Sequence, residues 1–151
     1  MKNYKWDAQE YEKHSQGQQK WARELIKKIS LKGTENVLDL GCGDGKVTAE
    51  ISKIVSKGSI IGVDNSDSMI NLATDRHPAD IYSNLSFQEM DAGNLKFNDC
   101  FDLIFSNAVL HWVTDQKPVI KGMFKSLKQG GRVIIQMGGK GNASGIVDVL
   151  S

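Results

Sequence analysis

The stretch Val37-Leu38-Asp39-Leu40-Gly41-Cys42-Gly43-Asp44-Gly45 limits what this chain can fold into more than any other. Its first four residues read as a short buried strand. Glycines at alternate positions then break the strand and permit a turn that few side chains tolerate. From Lys46 to Val55 the spacing turns helical, with Val47, Ile51, Ile54 and Val55 on one face. A strand that runs through a glycine turn into a helix brings backbone close to a ligand at the positive end of the helix dipole.

The rest of the chain repeats the strand-then-helix order. Lys57-Gly58 reads as a left-handed glycine cap ending the first of these helices. Ser59 to Asp64 forms a second strand, and Asn65-Ser66-Asp67 offers capping side chains to a helix from Ser68 to about His77, stopped by Pro78. Leu85 to Met90 alternates as a third strand, and Phe101 to Ser106 is apolar enough for a central parallel strand. Asp115 to Lys128 is helical, with Val119, Ile120, Met123, Phe124 and Leu127 on one face. Gln129-Gly130-Gly131 is a turn, Arg132 to Met137 a fifth strand, and Gly138 to Asn142 a flexible glycine-rich stretch. Such alternation specifies an α/β fold, a Rossmann-like doubly wound parallel sheet with helices on both faces. The first thirty residues stand apart as a polar segment, helical in its second half, with Trp21, Leu25, Ile26 and Ile29 as an apolar stripe. They form either a packed helix or a flap that lays Tyr11 over a ligand, and residues 31–151 form the binding domain.

A chain of 151 residues is about one domain, and at 40% hydrophobic it can bury a core. Lys and Arg total 19 against 18 Asp and Glu, so the basic surplus of a nucleic-acid binder is missing. Cys42 and Cys100 make no disulfide framework, His14 and His77 have no metal-ligand pattern, and no run is long and apolar enough for a signal peptide or membrane span. The expected partner is a small molecule and the expected compartment the cytoplasm.

In an open parallel sheet the ligand sits beyond the carboxyl ends of the strands, where the strand order switches. Asp39, Gly41, Gly43, Asp64, Asp91, Ala92 and Asn107 all fall at or just past such ends. Asp64 comes about 20 residues after the glycines, the offset at which an acid accepts both ribose hydroxyls, or else it caps the next helix. Asp91 either accepts from an adenine amino group or caps a turn, and Met69 either faces a purine or packs the core. A dinucleotide site needs Gly-x-Gly-x-x-Gly, but Lys46 holds the third position and Asp39 would repel a pyrophosphate. Asp39 instead favours a nucleoside carrying an ammonium group, whose tail carboxylate takes backbone N–H groups of the turn.

The glycine turn, with Gly-Val-Asp-Asn-Ser around Asp64 and Phe-Asp-Leu-Ile-Phe-Ser-Asn at Phe101 to Asn107, resembles the class I S-adenosylmethionine-dependent methyltransferases. Ser106 to Trp112, together with Trp6-Asp7 and Tyr11, resembles the trans-aconitate methyltransferase-like group and the insect juvenile hormone acid methyltransferases. The resemblance implies S-adenosyl-L-methionine as cofactor and S-adenosyl-L-homocysteine as product. It places Gly41 and Gly43 beside the methionine part with Asp39 supporting the turn, Asp64 at the ribose, Asp91 and Ala92 beside adenine, and Asn107 near the methionine end and the reactive methyl; Asn65, Met69 and Tyr11 are further cofactor-binding candidates. His111 is the one proton acceptor near the crevice, or a residue that packs the connector, and Trp112 an aromatic wall for the sulfonium or a core residue. A carboxylate acceptor would need no base. Family members continue past the fifth strand with further helices and a strand pair. The chain therefore reads as a cofactor-binding part with weak turnover alone, and its unpaired fifth strand invites a homodimer. A nucleoside-binding module without chemistry, a nicotinamide-dependent oxidoreductase and an RNA methyltransferase are the alternatives.

Overall fold

The computed structural model describes residues 8–138 and 144–148, with side chains from 16 to 137. Trp6, Asp7, the Tyr11 side chain and most of the 138–142 glycine stretch lie outside the described residues. The chain divides into two compact units, Met1–Ser30 and Leu31–Ser151. The first carries α1 (Ala8–Lys28), which begins earlier than its sequence suggests. Ala22, Leu25, Ile26 and Ile29 are buried, while Trp21, expected in the same stripe, is half exposed.

The second unit is a sheet of six strands: β1 (Asn36–Leu40), β2 (Ser59–Asp64), β3 (Leu85–Glu89), β4 (Phe101–Asn107), β5 (Leu127–Gly138) and β6 (Ser144–Asp148). Their spatial order is β3-β2-β1-β4-β5-β6. The first five run parallel, as the alternating pattern requires, and the order reverses between β1 and β4. The sheet does not stop at β5, however. β6 pairs antiparallel with it, from Gly138↔Ser144 to Ile134↔Asp148. The edge on which association with a second chain was expected is therefore occupied, and the expected homodimer loses its basis there.

Three helices pack on this sheet: α2 (Lys46–Ile54), α3 (Asp67–Arg76) and α4 (Lys117–Ser126). Side chains alternate along each strand, so β1 sends Leu38 and Leu40 to one face and Asp39 to the other. Leu38, Leu40, Ile104 and Ile135 join Val119 and Met123 of α4 in one buried cluster. The opposite face meets α2, whose Thr48 reaches Asp39. The helices thus lie on both sides, and each buries a narrower face than apolar spacing suggested. On α2 the buried residues are Thr48, Ala49, Ile51 and Ser52, while Ile54 is exposed. On α4, Ile120 and Phe124 face solvent and Leu127 already begins β5.

Local signals fixed the ends unevenly. Ser66 caps α3 by accepting the Met69 N–H, as its residue type predicts. Gln129-Gly130-Gly131 is not a turn between elements but a bulge inside β5, where the register jumps from Phe101↔Leu127 to Leu103↔Arg132. Gly58 is not left-handed. Its glycine is needed for space, because a Cβ there would lie 2.0 Å from the Glu35 carbonyl oxygen. Among the described residues, no helix is long and apolar enough to cross a membrane.

A methyl group at residue 58 meets backbone rather than a movable side chain, so the strand entry must shift. Gly58→Ala should lower the unfolding free energy by about 3 kcal/mol. Urea denaturation followed by circular dichroism measures it, and an unchanged midpoint would show that the β1–β2 entry has slack.

Candidate functional site

β2 ends in Asp64, and that residue ties three segments together. Its Oδ2 accepts the Gly43 N–H at 3.0 Å and its Oδ1 accepts the Ser66 N–H at 3.0 Å. Its carbonyl accepts the Met90 N–H at 2.9 Å. The glycine turn, the start of α3 and the end of β3 therefore converge on one residue, one strand from the switch in strand order. The preceding residue completes the join, because the Val63 carbonyl accepts the N–H groups of Gly41 and Cys42 at 2.8 and 2.9 Å.

This wiring corrects one expectation. The N–H groups of Gly41, Cys42 and Gly43 point at β2, and that of Gly45 bonds the Cys42 carbonyl at 3.0 Å. They are not arrayed as donors for an anion, so the turn is neither a phosphate cradle nor a seat for a carboxylate tail. What surrounds the turn is acceptor oxygen.

Asp39 is 3% exposed, deeper than a ligand-facing residue would be. Its Oδ2 accepts the Thr48 hydroxyl at 2.7 Å, fastening β1 to the first turn of α2. Burial pushes its carboxyl up to about 7, partly opposed by the Thr48 hydrogen bond and reinforced by the negative charge of Asp64. Asp44, also buried, holds the Arg76 guanidinium at 2.8 Å and the Lys46 ammonium at 3.4 Å, joining the turn to the end of α3. Burial, with Asp39 next in weight, also drives the Cys42 thiol far up, so it is a packed neutral group.

Register places the remaining groups. Asp64 pairs Glu89 on β3, and Asn107 pairs Gln136 on β5. Asp39 pairs both Gly62 and Phe105, and each lies two residues before Asp64 or Asn107. Residues two apart share a face. Glu89, Asp64, Asn107 and Gln136 therefore form one polar row along the carboxyl edge. The row is interrupted only at β1, where the glycine turn begins. Beyond Asn107 the chain bends sharply: Ala108 is left-handed at φ 59°, and its N–H donates to the Gln136 carbonyl at 2.7 Å. Val109 then packs on Gly41 so closely that a Cβ on that glycine would lie 2.4 Å from it. A strained residue at the tip of a central strand is a feature of functional edges.

The structure thus brings Asp39, Gly41 and Gly43 to the switch point, with Asp64 on the strand to one side and Asn107 on the strand to the other. Asp91 is exposed at the start of a 3₁₀ turn (Ala92–Asn94), where its Oδ1 accepts the Gly93 N–H at 2.7 Å. Ala92 is half-buried against the α4 cluster. Met69 is half-buried on α3, and Asn65 is exposed. His111 is exposed on a second 3₁₀ turn (Leu110–Trp112), its ring 4.9 Å from that of Trp112. Trp112 is 69% exposed, which rules out the core role. Two participants went unseen in the sequence. Thr48 had a signal, a hydroxyl on the inward face of α2. Gln136 had none before the β4–β5 register was known.

The comparisons with known proteins agree with this architecture. A family profile described as a methyltransferase domain matches residues 31–143. An uncharacterised methyltransferase of Schizosaccharomyces pombe is 32% identical over 94% of this chain and 55% of its own length. A trans-aconitate 2-methyltransferase of Agrobacterium fabrum is 33% identical over 87% of this chain and 50% of its own length. The chain spans about half the length of these curated relatives. Among solved structures, the Haemonchus contortus phosphoethanolamine N-methyltransferase 2 in complex with S-adenosyl-L-methionine superposes with a TM-score of 0.74 at 26% identity. The match covers 83% of this chain and 30% of that one.

The raised Asp39 carboxyl sets a pH dependence of definite sign. Its folded value of about 7 exceeds the ordinary 3.8. Its contribution to stability is therefore complete below the ordinary value and is lost as pH rises through about 7. Glu35 and Asp102 run the other way. Burial is the largest single influence and raises each, but the hydrogen bonds together outweigh it, with the Lys128 ammonium adding to the effect at Asp102, so both carboxyls lie below their ordinary value. The discriminating readout is the difference between wild type and Asp39→Asn, which keeps the Thr48 hydrogen bond. Relative to the variant, wild-type melting temperature should fall between about pH 4 and pH 7. Parallel curves would mean that Asp39 titrates normally.

Proposed function

This chain belongs to the methyltransferase-domain family, and from that footing we propose that it binds S-adenosyl-L-methionine along the carboxyl edge of its sheet and directs methyl transfer to a small-molecule acceptor. The observation that carries the proposal is the placement of Asp64 between the glycine turn and the end of β3. An ionised carboxylate offers about four lone-pair positions. Gly43 and Ser66 take one on each oxygen, which leaves acceptor capacity for two ribose hydroxyls.

The donor set fits a cationic nucleoside. The turn spends its N–H groups internally, and the groups around it are carboxylates and the Asn107 amide. Such an edge attracts an ammonium and a sulfonium and repels a pyrophosphate. Gly41 and Gly43 border the amino-acid tail, and Asp39 holds the turn through Thr48. Asp91 follows the Met90 N–H that bonds Asp64, so it and Ala92 flank the base, with Met69 and Asn65 on the α3 side. When bound, the cofactor supplies an electrophilic methyl whose leaving group is a neutral thioether, S-adenosyl-L-homocysteine. The protein's part is to align the acceptor and exclude water.

The acceptor is best read as a carboxylic acid. It is ionised near neutral pH and needs no base, and the polar row holds no histidine. The Agrobacterium relative is named for trans-aconitate, itself such an acid. The solved neighbour named for phosphoethanolamine shows that the same fold also serves an amine. His111 would take a proton only from an acceptor that has one to lose.

Calorimetric titration should show binding of S-adenosyl-L-homocysteine and of S-adenosyl-L-methionine, and none of NAD. Asp64→Asn should weaken both by about ten- to a hundredfold, the worth of hydrogen bonds to a charged acceptor. Its melting curve separates lost affinity from a loosened turn. Preference for NAD would overturn the proposal.

A further inference from the structure

The Gln136 side chain is unexplained by anything above. Its Oε1 is buried and, among the described residues, receives no hydrogen bond. A buried amide end without a partner carries a desolvation cost that native structures rarely leave unmet. Its position is also specific. Gln136 sits opposite Asn107 in the β4–β5 register, and its backbone carbonyl receives the N–H of left-handed Ala108 at 2.7 Å. The kinked connector is thereby fixed to the same residue whose amide oxygen has no partner among the described residues.

Strand spacing tells what the amide is for. Neighbouring strands lie about 4.8 Å apart, so Asp64 on β2 and Asn107 on β4 are separated by roughly 10 Å across the gap at β1. A sugar and its amino-acid tail fill that interval. Gln136 lies one strand further out, on the far side of Asn107, where a molecule approaching the transferable group would lie. Resting on the function proposed above, we infer that Gln136 is the acceptor-recognition residue, binding one oxygen of a carboxylic acid while the other oxygen is methylated.

A half-turn exchanges the two ends of an amide, so the buried position can present N–H to an anionic oxygen. A neutral amide suits this task better than a lysine or arginine. It orients the acid without a full charge that would hold the nucleophilic electron pair. One acid oxygen forms the bond to the methyl carbon as the carbon–sulfur bond breaks. That bond's electron pair stays on sulfur. The products are a neutral ester and a neutral thioether, and no proton moves.

The test uses the whole chain loaded with S-adenosyl-L-homocysteine, probed with short dicarboxylic and long-chain monocarboxylic acids. The side-chain NH₂ resonance of Gln136, identified by its loss in Gln136→Leu, should shift on adding an acid and stay put with the corresponding methyl ester. Gln136→Leu should weaken acid binding about tenfold and leave S-adenosyl-L-homocysteine affinity within twofold. Gln136→Asn, which keeps the amide on a shorter stem, should recover part of the loss. Equal acid affinity in wild type and Gln136→Leu, no acid binding to the loaded chain, or a resonance that moves with S-adenosyl-L-homocysteine alone would each overturn the inference while leaving the cofactor proposal intact. Failure to bind S-adenosyl-L-homocysteine would remove both.

Discussion

Asp64 sets the geometry on which the edge of this sheet depends. A glycine-rich turn has no side chains to hold it and a large backbone entropy to lose. Here the loss is offset by hydrogen bonds drawn from the end of β2, two to the Val63 carbonyl and one to the Asp64 carboxylate. The same carboxylate steadies the first residues before α3, and the same residue's carbonyl holds the end of β3. A charged acceptor at one strand tip thus organises the segments on either side of it. Its charge is kept soluble by partial exposure and by the two N–H groups that face it.

The electrostatic consequence is a crevice edged with acceptors. Helix N-termini usually advertise donors, and a glycine turn feeding α2 suggests the same. The wiring turns most of those donors inward instead. Asp39 and Asp44 are both nearly enclosed. One is satisfied by a hydroxyl and raised by burial to about 7, the other ion-paired to Arg76 and Lys46. The more accessible carboxylate is therefore that of Asp64, and the buried acids serve the turn.

The order of elements was legible because it depends on periodicity. Leu38 and Leu40 on β1 and Val119 and Met123 on α4 carried the core as their spacing implied. An apolar stripe is wider than the face the helix buries. Ile54, Ile120 and Phe124 belong to stripes by spacing yet face solvent, while Thr48 and Ser52 are buried because hydroxyls can satisfy partners there. Glycine at position 58 answers to contact with Glu35 rather than to conformation. β6 went unrecognised, because strand pairing across a glycine-rich link leaves no local signature. At the site, residues at strand ends were legible through topology, whereas Thr48 and Gln136 emerge only from contacts between distant segments.

The contact between Val109 and Gly41 has a consequence for divergence. In the proposed function the connector after β4 borders the acceptor and the glycine turn borders the cofactor, and Val109 wedges the two segments together. Amino-acid changes that reshape the connector for a new acceptor press on that turn at once. Lineages of such proteins should therefore exchange acceptor preference through compensated pairs of substitutions rather than single steps, with residue 109 adjusting whenever its neighbours do.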